Sequence, residues 1–288
     1  MMQSAQKILA RLSIPLFLLA LLLTSAAQVF SQQPASKAIA PAPADVHARV
    51  TETAVDASIS DDPAVDKLLA VYSPKVRELE VVVGKLKGEL KKSGAGAGSL
   101  GNFVTDGMRS EASLKTGQPV VLALMNAGGM RRNTIGEGEL KSRDIFELLP
   151  FENALVTLDL TGEQLLKLAQ MIVARHEAQS GARLVYKTNA DRTWELLSAK
   201  LRDATGEKDI DPKATYTIVT IDYLYRVGGS TYGILQQGKN MKELGITLRD
   251  ALLNHVRSET AAGRDIKPNL DGRFVLDRAG STGGVPPQ

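Results

Sequence analysis

Residues 119–131 read Pro-Val-Val-Leu-Ala-Leu-Met-Asn-Ala-Gly-Gly-Met-Arg. The apolar run before Asn126 is short and contains two valines, so it predicts a buried strand rather than a helix. Gly128 and Gly129 allow a sharp turn and a close approach to a ligand, and exposed amides in such a turn favour an anion. Arg131 adds a planar donor fork for phosphate or carboxylate. An ordinary glycine turn beside a solvated arginine is the alternative that this segment alone leaves open.

Helices and strands surround this segment without a regular repeat. Capping residues predict four helix starts, at Asp61 or Asp62 before Pro63, at Ser99, at Thr161 with Gln164 completing a capping box, and at Thr247. Ser73-Pro74 is expected to interrupt or kink the first helix. Further strands are predicted near residues 81–83, 155–160, 183–187, 194–201, 216–221 and 274–277. This order predicts an α+β fold with mixed sheets flanked by helices.

Composition divides the 288 residues into four parts. Residues 1–31 are predicted to be a signal peptide. Residues 32–60, rich in Ala, Pro, Ser and Val, are predicted to be a linker. Residues 61–278 form the predicted folded domain, and residues 279–288 are predicted to be a disordered tail.

The first part has the layout of a secretory signal. Lys7 and Arg11 precede an apolar run at 14–23, and small residues allow cleavage after Ala27 or Ser31. A permanent membrane anchor is the alternative, but the run is well short of the ~20 residues that span a bilayer. We therefore expect export to the periplasm or the extracellular space, without a permanent membrane anchor.

Charge and cysteine content exclude several classes of function. Without the two cations of the signal segment, Lys7 and Arg11, the formal net charge of +3 falls close to neutral. Binding of a nucleic acid polymer needs a basic surface, so it is not expected. The sequence contains no cysteine, which excludes disulfides, thiolate catalysis and cysteine metal sites.

A second candidate ligand segment is 148–153, Leu-Leu-Pro-Phe-Glu-Asn. The Phe151 ring can stack on a base, and the Asn153 amide can pair with the edge of that base. The alternative is that Phe151 belongs to the core.

The third candidate segment, 220–230, places tyrosines, an arginine and two glycines after a strand. Tyr223 or Tyr225 supplies a second stacking face, and Gly229 lies in the glycine pair that follows. An edge strand with surface tyrosines is the alternative.

Together these residues resemble a known family. Gly-Asn-Phe-Val-Thr-Asp-Gly-Met-Arg at 101–109, the loop at 126–131, and the stretches 144–153, 160–162 and 220–232 are similar to the C-terminal domain of bacterial and animal 5'-nucleotidases. The similarity covers nearly the whole predicted domain, and several motifs occur in order.

The resemblance implies a nucleotide or nucleoside ligand. The implied binding residues are Asn126, Gly128, Gly129, Arg131, Phe151, Asn153, Tyr223 and Gly229. Phe151 and Tyr223 would sandwich the base, Asn153 would contact its edge, and Arg131 would face the ribose and phosphate. The sequence departs from the family at Ala127 and Glu152, where glycines are usual, and at Ser230, where an aspartate is usual.

Family members hydrolyse phosphate esters at two metal ions held by a separate N-terminal domain. The chain has three histidines, His47, His176 and His255, and lacks the Gly-Asn-His-Glu motif of that metal centre. We therefore expect no catalytic residue, metal or cofactor in this chain, with His176 and His255 on helices.

Three functions remain open. The first is a binding module, and the second is a part of a 5'-nucleotidase whose metallophosphatase domain or chain is separate. The third is an envelope structural or interaction domain that has lost nucleotide binding, which the Glu152 and Ser230 departures favour.

Overall fold

The computed structural model describes residues 51–280, apart from the side chain of Ser230. The chain divides into two units, residues 1–60 and 61–288. In the first unit, the described residues 51–60 are exposed and form no helix or strand.

Several predictions for the chain ends fall outside the described residues. These are the signal peptide at 1–31, residues 32–50 of the linker, and residues 281–288 of the tail. They stay predictions, as does the division into domains. Between residues 51 and 280, every helix is too short or too polar to cross a membrane.

The second unit contains both helices and strands throughout its described length. Its helices are α1 (Pro63–Leu79), α2 (Gly98–Thr116), α3 (Ser142–Leu148), α4 (Gly162–Ala174), α5 (Asp222–Val227), α6 (Gly229–Gln236) and α7 (Leu248–Ala261). Its strands are β1 (Val82–Leu86), β2 (Leu90–Lys91), β3 (Leu122–Met125), β4 (Thr134–Ile135), β5 (Gly138–Lys141), β6 (Ala154–Thr161), β7 (Ala178–Ser180), β8 (Ala182–Thr188), β9 (Trp194–Asp203), β10 (Gly206–Asp209), β11 (Thr215–Ile221), β12 (Lys239–Thr247) and β13 (Phe274–Leu276).

A five-stranded mixed sheet, in the order β12-β6-β11-β3-β7, forms the centre of the unit. Its middle strand, β11, is antiparallel to β6 and parallel to β3. Ile218 faces Leu158 on one side and Leu122 on the other, and all three side chains are buried. Helix α2 packs against β3 and β7 and is covered by α7. The predicted α+β fold with mixed sheets flanked by helices is confirmed.

A second sheet has the order β10-β9-β8-β13, with β13 parallel to β8 and the other pairs antiparallel. Helix α4 packs against β9 and also contacts β6, so it lies between the two sheets. Two short antiparallel pairs, β1-β5 and β2-β4, complete the unit.

Three of the predicted helix caps are confirmed. The Asp62 carboxylate accepts hydrogen bonds from the first turn of α1. The Thr161 side chain accepts from the Gln164 amide, while the Gln164 side chain accepts from the Thr161 amide. The Thr247 side chain accepts from the Asp250 amide at 3.1 Å. Each cap satisfies backbone donors that a helix leaves free at its start.

The predicted cap at Ser99 is wrong. Helix α2 begins one residue earlier, at Gly98, after Ala97 in a left-handed conformation. A Cβ at Gly98 would lie 2.7 Å from the Lys91 carbonyl oxygen, so only glycine lets the chain turn this close to β2. The Ser99 hydroxyl lies inside the first turn and accepts from the Lys91 amide instead, at 2.9 Å.

Pro74 lies inside α1 and does not interrupt it, so that part of the prediction is wrong, while the kink stays a prediction. The helix continues to Leu79, and none of its residues is buried. Proline removes the amide that would pair with the Ala70 carbonyl. Because this helix is exposed, water can solvate that carbonyl and the helix tolerates the loss.

Gly162 provides a test of how closely α4 approaches the turn before β11. A Cβ at Gly162 would lie 2.0 Å from the Asp211 carbonyl oxygen, whereas a Cβ at Gly233, inside α6, would meet nothing within 4 Å. We expect Gly162→Ala to lower the free energy of unfolding by about 1–3 kcal/mol because of this overlap. Gly233→Ala should raise it by up to about 1 kcal/mol, because alanine favours helix. Urea denaturation of both variants checks this, and equal midpoints would contradict the close approach.

Candidate functional site

Three strands of the central sheet bring the predicted ligand segments to one edge. Strand β3 runs into Asn126 and β11 runs into Asp222, while β6 begins directly after Asn153. Ile221, the last residue of β11, pairs with Leu155 near the start of β6, and β3 runs parallel to β11. The two strand ends and the strand start therefore lie side by side. We call this edge, marked by Asn126, Asn153 and Asp222, the upper edge.

Arg131 and Phe151 come together at the upper edge. The guanidinium carbon of Arg131 lies 5.9 Å from the centre of the Phe151 ring, which is within the range of a cation–π contact. The Arg131 amide donates to the Leu148 carbonyl at 2.9 Å, which holds the two segments in this position. The Phe151 side chain is 48% exposed, so the alternative that it belongs to the core is wrong.

Tyr223 lies on a helix rather than in a loop. It occupies the second position of α5 and is 51% exposed. The preceding residue, Asp222, accepts a hydrogen bond from the Ala154 amide at 3.0 Å, which fixes α5 against the start of β6. Within residues 51–280, no ring contact joins Tyr223 to Phe151. Both rings are thus accessible, on segments anchored to neighbouring strands.

The turn after β3 does not offer the row of free amides that the sequence predicted. Gly129 N donates to the Asn126 carbonyl at 3.0 Å, and Met130 N donates to the Ala127 carbonyl at 3.3 Å. Ala127 N donates to the Glu177 carboxylate at 2.6 Å. The anion preference of this loop therefore depends on the Arg131 side chain, which contacts the Gly128 carbonyl at 3.5 Å.

Asn126 and Asn153 are both half-buried at the upper edge. The side-chain oxygen of Asn126 is buried and accepts no hydrogen bond from a described residue. The Asn153 main-chain carbonyl accepts from the Leu248 amide at 2.8 Å, which connects the site to the start of α7. Neither amide side chain forms a hydrogen bond with another described residue, so both retain hydrogen-bonding capacity.

Gly229 is the first residue of the short helix α6, and Gly228 before it separates α6 from α5. Gly229 has a φ of +56°, and a Cβ there would meet no atom within 4 Å. At Gly228, with a φ of +40°, a Cβ would lie 2.2 Å from the Gln236 amide nitrogen. The glycine pair is thus required for the sharp reversal between the helices.

Glu177, which was not predicted from the sequence, connects the loop after β3 to helix α6. It is buried, with one carboxylate oxygen accepting from Ala127 N and the other from the Tyr232 hydroxyl, each at 2.6 Å. Arg175 lies 3.5 Å from the same carboxylate. Burial and the adjacent Glu177 carboxylate raise the pKa of Tyr232 to about 12. One buried carboxylate therefore fixes the loop after β3 relative to α6.

Comparison with known proteins identifies the family of this domain. The family model for the 5'-nucleotidase C-terminal domain matches residues 81–237, more than half of the chain. The chain belongs to the 5'-nucleotidase C-terminal domain family.

Two relatives of this domain illustrate its context. An apyrase from Tabanus yao is 30% identical over 177 residues, which cover 55% of this chain and 32% of the apyrase. The trifunctional nucleotide phosphoesterase protein YfkN from Bacillus subtilis is 25% identical over 240 residues, which cover 81% of this chain and 16% of YfkN. The chain thus spans about a third or less of these curated relatives.

Solved structures share the fold. The 5'-nucleotidase precursor from Thermus thermophilus has a TM-score of 0.62 at 24% identity, covering 74% of this chain and 43% of its own. The NAD nucleotidase from Haemophilus influenzae has a TM-score of 0.59 at 20% identity, covering 77% and 42%.

The described part of this 5'-nucleotidase-type domain contains no group of three or more histidine, aspartate or glutamate side chains placed to hold a metal ion. His176 follows α4 instead of lying on it, and its ring stacks on Trp194 at 3.6 Å. His255 lies on α7, as predicted. Burial lowers the pKa of both histidines, so each favours the neutral form.

The role of Glu177 is tested by Tyr232→Phe. Removing the hydroxyl leaves one oxygen of a buried carboxylate without its closest donor. We expect the free energy of unfolding to fall by about 1.5–3 kcal/mol, the usual worth of a hydrogen bond to a charged group. Urea denaturation measures the change, and a spectrophotometric titration should lose its highest tyrosine pKa.

The matched control is Tyr223→Phe, whose hydroxyl has no hydrogen bond to the described residues. That variant should stay within about 0.5 kcal/mol of the parent protein. If Tyr232→Phe were as stable as this control, Glu177 would not hold the two loops together.

Proposed function

We propose that this chain binds a nucleotide or nucleoside at the upper edge, as part of phosphate-ester hydrolysis in nucleotide catabolism. The observation that carries the proposal is the half-exposed Phe151 ring beside the Arg131 guanidinium, on a domain of the 5'-nucleotidase family. A flat base with an anionic tail fits a ring and a cation placed this close.

Phe151 would stack on one face of the base and Tyr223 on the other. Both rings are about half exposed and lie on segments that the sheet register brings to the same edge. Stacking on aromatic side chains is worth about 1–3 kcal/mol per base. Asn153, at the start of β6, would contact the edge of the base through its amide.

Arg131 would hold the phosphate or ribose side of the ligand. Its neighbour Arg132 is already paired with two carboxylates, Asp144 at 2.9 Å and Glu147 at 3.1 Å. Arg131 has no carboxylate partner among the described residues, so its guanidinium is the one of this pair that can accept an anion. Because the amides of Ala127, Gly129 and Met130 are hydrogen-bonded within the protein, we infer that Arg131 carries most of the preference for a charged tail.

Glu152, which stands where the family has glycine, does not oppose this arrangement. Its carboxylate is paired with Arg249. Arg249 also lies 4.6 Å above the centre of the Phe146 ring. The negative charge next to Phe151 is thus compensated, and a phosphate bound at Arg131 would experience little repulsion from it.

Hydrolysis itself would take place on a separate metallophosphatase domain or chain. The relatives named as apyrase and nucleotide phosphoesterase are about three or more times longer than the part that this chain matches. We infer that this chain supplies substrate binding and that divalent metals act on the other domain or chain. Export to the periplasm or extracellular space follows from the signal-like segment, Lys7 and Arg11 before the apolar run at 14–23.

The base-binding role is tested by Phe151→Ala. Isothermal titration with adenosine and AMP should show binding to the parent domain, and the variant should lose about 1–3 kcal/mol with both ligands because one stacking face is gone. Phe146→Ala is the matched control, because the Phe146 ring is also exposed but has Arg249 over one of its faces.

Two outcomes would contradict the base-binding role. The first is an unchanged affinity of Phe151→Ala, which would remove Phe151 from the site. The second is the absence of any binding by the parent domain, which would favour a structural role in the envelope.

The anion-binding role is tested by Arg131→Gln. We expect AMP to bind about tenfold more weakly, because a charge-assisted hydrogen bond is lost, while adenosine binding stays nearly unchanged. Arg132→Gln is the matched control, since its guanidinium is occupied by Asp144 and Glu147. Equal losses for AMP and adenosine would assign Arg131 to the base or to the fold instead of the phosphate.

A further inference from the structure

The opposite end of the central sheet contains a cavity. Strands β3 and β11 begin there, at Leu122 and Thr215, and we call this end the lower edge. The second half of α2 and the β9-β10 hairpin border a cavity of about 270 Å³. Strand β3 separates this edge from the upper edge by about 13 Å, at ~3.3 Å per residue.

The carboxylates that line this cavity already accept hydrogen bonds from other residues of the protein. Asp106 accepts from Ser180 at 2.6 Å and from Arg273 at 2.9 Å. Asp271 accepts from Arg273 at 2.9 Å and lies 3.6 Å from Arg202. These bonds neutralise both acids inside the protein.

Asp203, at the end of β9, is also occupied. It accepts from Lys208 at 2.8 Å and from the Thr205 amide at 2.7 Å. These partners hold the pKa of the Asp203 carboxyl well below its usual range.

Three arginines line the cavity, and Arg202 and Arg273 are both paired with carboxylates, which leaves Arg109. Arg109 is only partly exposed, yet none of the residues 51–280 accepts a hydrogen bond from it or pairs with it within 4.0 Å. Burial is the largest influence on the pKa of the Arg109 guanidinium and lowers it, while the charges of Asp106, Asp203 and Asp271 act in the opposite direction without pairing directly with it. A partly buried cation without a partner is costly, and an anion in the cavity would remove that cost.

Gly181 keeps the Arg109 guanidinium in place. It has a φ of +104°, and a Cβ there would lie 2.9 Å from an Arg109 terminal nitrogen and 2.0 Å from the Val121 carbonyl oxygen. The guanidinium therefore lies directly against the backbone of β7 and β8. This packing aims Arg109 into the cavity and limits the other positions it can take.

A larger apolar groove of about 1040 Å³ opens next to Arg109. It shares Arg109 and Arg202 with the polar cavity, and Leu114 and Leu201 contribute apolar surface to it. Leu114, near the end of α2, is 70% exposed. An exposed leucine beside an unpaired arginine suits a ligand that has both an apolar and an anionic part.

We propose that the lower edge is a second binding site, which takes a small amphiphilic anion. Its carboxylate or phosphate head would bind Arg109 in the polar cavity, and its apolar body would lie along the groove at Leu114. The site is separate from the proposed nucleotide site, and it does not depend on nucleotide binding.

The proposal is tested by calorimetric titration with four small-molecule probes. Octanoate and octyl phosphate carry the anionic head and the apolar body, while acetate and 1-octanol each lack one of the two. We expect at least one of the first two to bind about tenfold more tightly than both partial probes, because head and body each contribute. The better of the two identifies the head group.

Variants assign the binding to Arg109. Arg109→Gln should weaken the tighter probe by about tenfold, and Leu114→Ser, at an exposed position that does not affect folding, by about threefold. Arg132→Gln is the control and should leave the affinity unchanged. Circular dichroism checks that each variant is folded. If Arg109→Gln does not fold, the probe affinity of Leu114→Ser tests the proposal.

Three results would overturn the proposal. The first is that neither amphiphilic probe binds more tightly than octanol. The second is that the folded Arg109→Gln or Leu114→Ser variant binds like the parent. The third is competition between octanoate and saturating AMP, which would place octanoate at the upper edge. Loss of AMP binding alone would count against the proposed function and leave the lower-edge site standing.

Discussion

The register of β11 is the constraint on which the rest of the structure depends. This strand is antiparallel to β6 and parallel to β3, and the buried Thr220 hydroxyl donates to the Leu124 carbonyl at 3.1 Å. Residues 218–221 are buried on both faces of the strand, so a slip by one residue would move each of these side chains into the packing position of its neighbour. It would also move Asp222 away from the Ala154 amide. The ligand segments are therefore brought together by strand pairing, with few direct contacts between the segments themselves.

Local signals in the sequence predicted the elements that local physics determines. The caps at Asp62, Thr161 and Thr247 use side chains within three residues of the amides they bind, so spacing reveals them. The errors arise where tertiary contacts decide. Ser99 is a good cap by type, but the close passage of Gly98 past β2 moves the helix start. Strand β12 was not predicted because its residues are mostly exposed and lack alternation, and its pairing with β6 makes it a strand.

The site could be predicted in part, for the same reason. Phe151 and Arg131 stand in motifs that resemble the family, and their proximity follows once the sheet forms. Glu177 gave no comparable signal, since its two partners lie 50 and 55 residues away along the chain. The short helices around Gly229 were also hidden, because six and eight residues give little helical periodicity. The sequence therefore indicated exposed residues that the sheet brings to the upper edge, but not the buried carboxylate that fixes the loop after β3.

The pairing of arginines explains how a nearly neutral chain can still bind anions. Arg273 is buried and contacts two carboxylates, so its charge is paired within the fold and is not available to a ligand. The charge of Arg132 is likewise paired with two carboxylates of α3. Arg131 and Arg109 have no carboxylate partner in the described residues, and each lies beside apolar or aromatic surface at an end of the central sheet. A guanidinium that no protein carboxylate pairs with directly is available to a single anion, and nearby apolar surface strengthens that attraction because it excludes water. Attraction of this kind is local, and it does not require the broad positive surface that nucleic acids need.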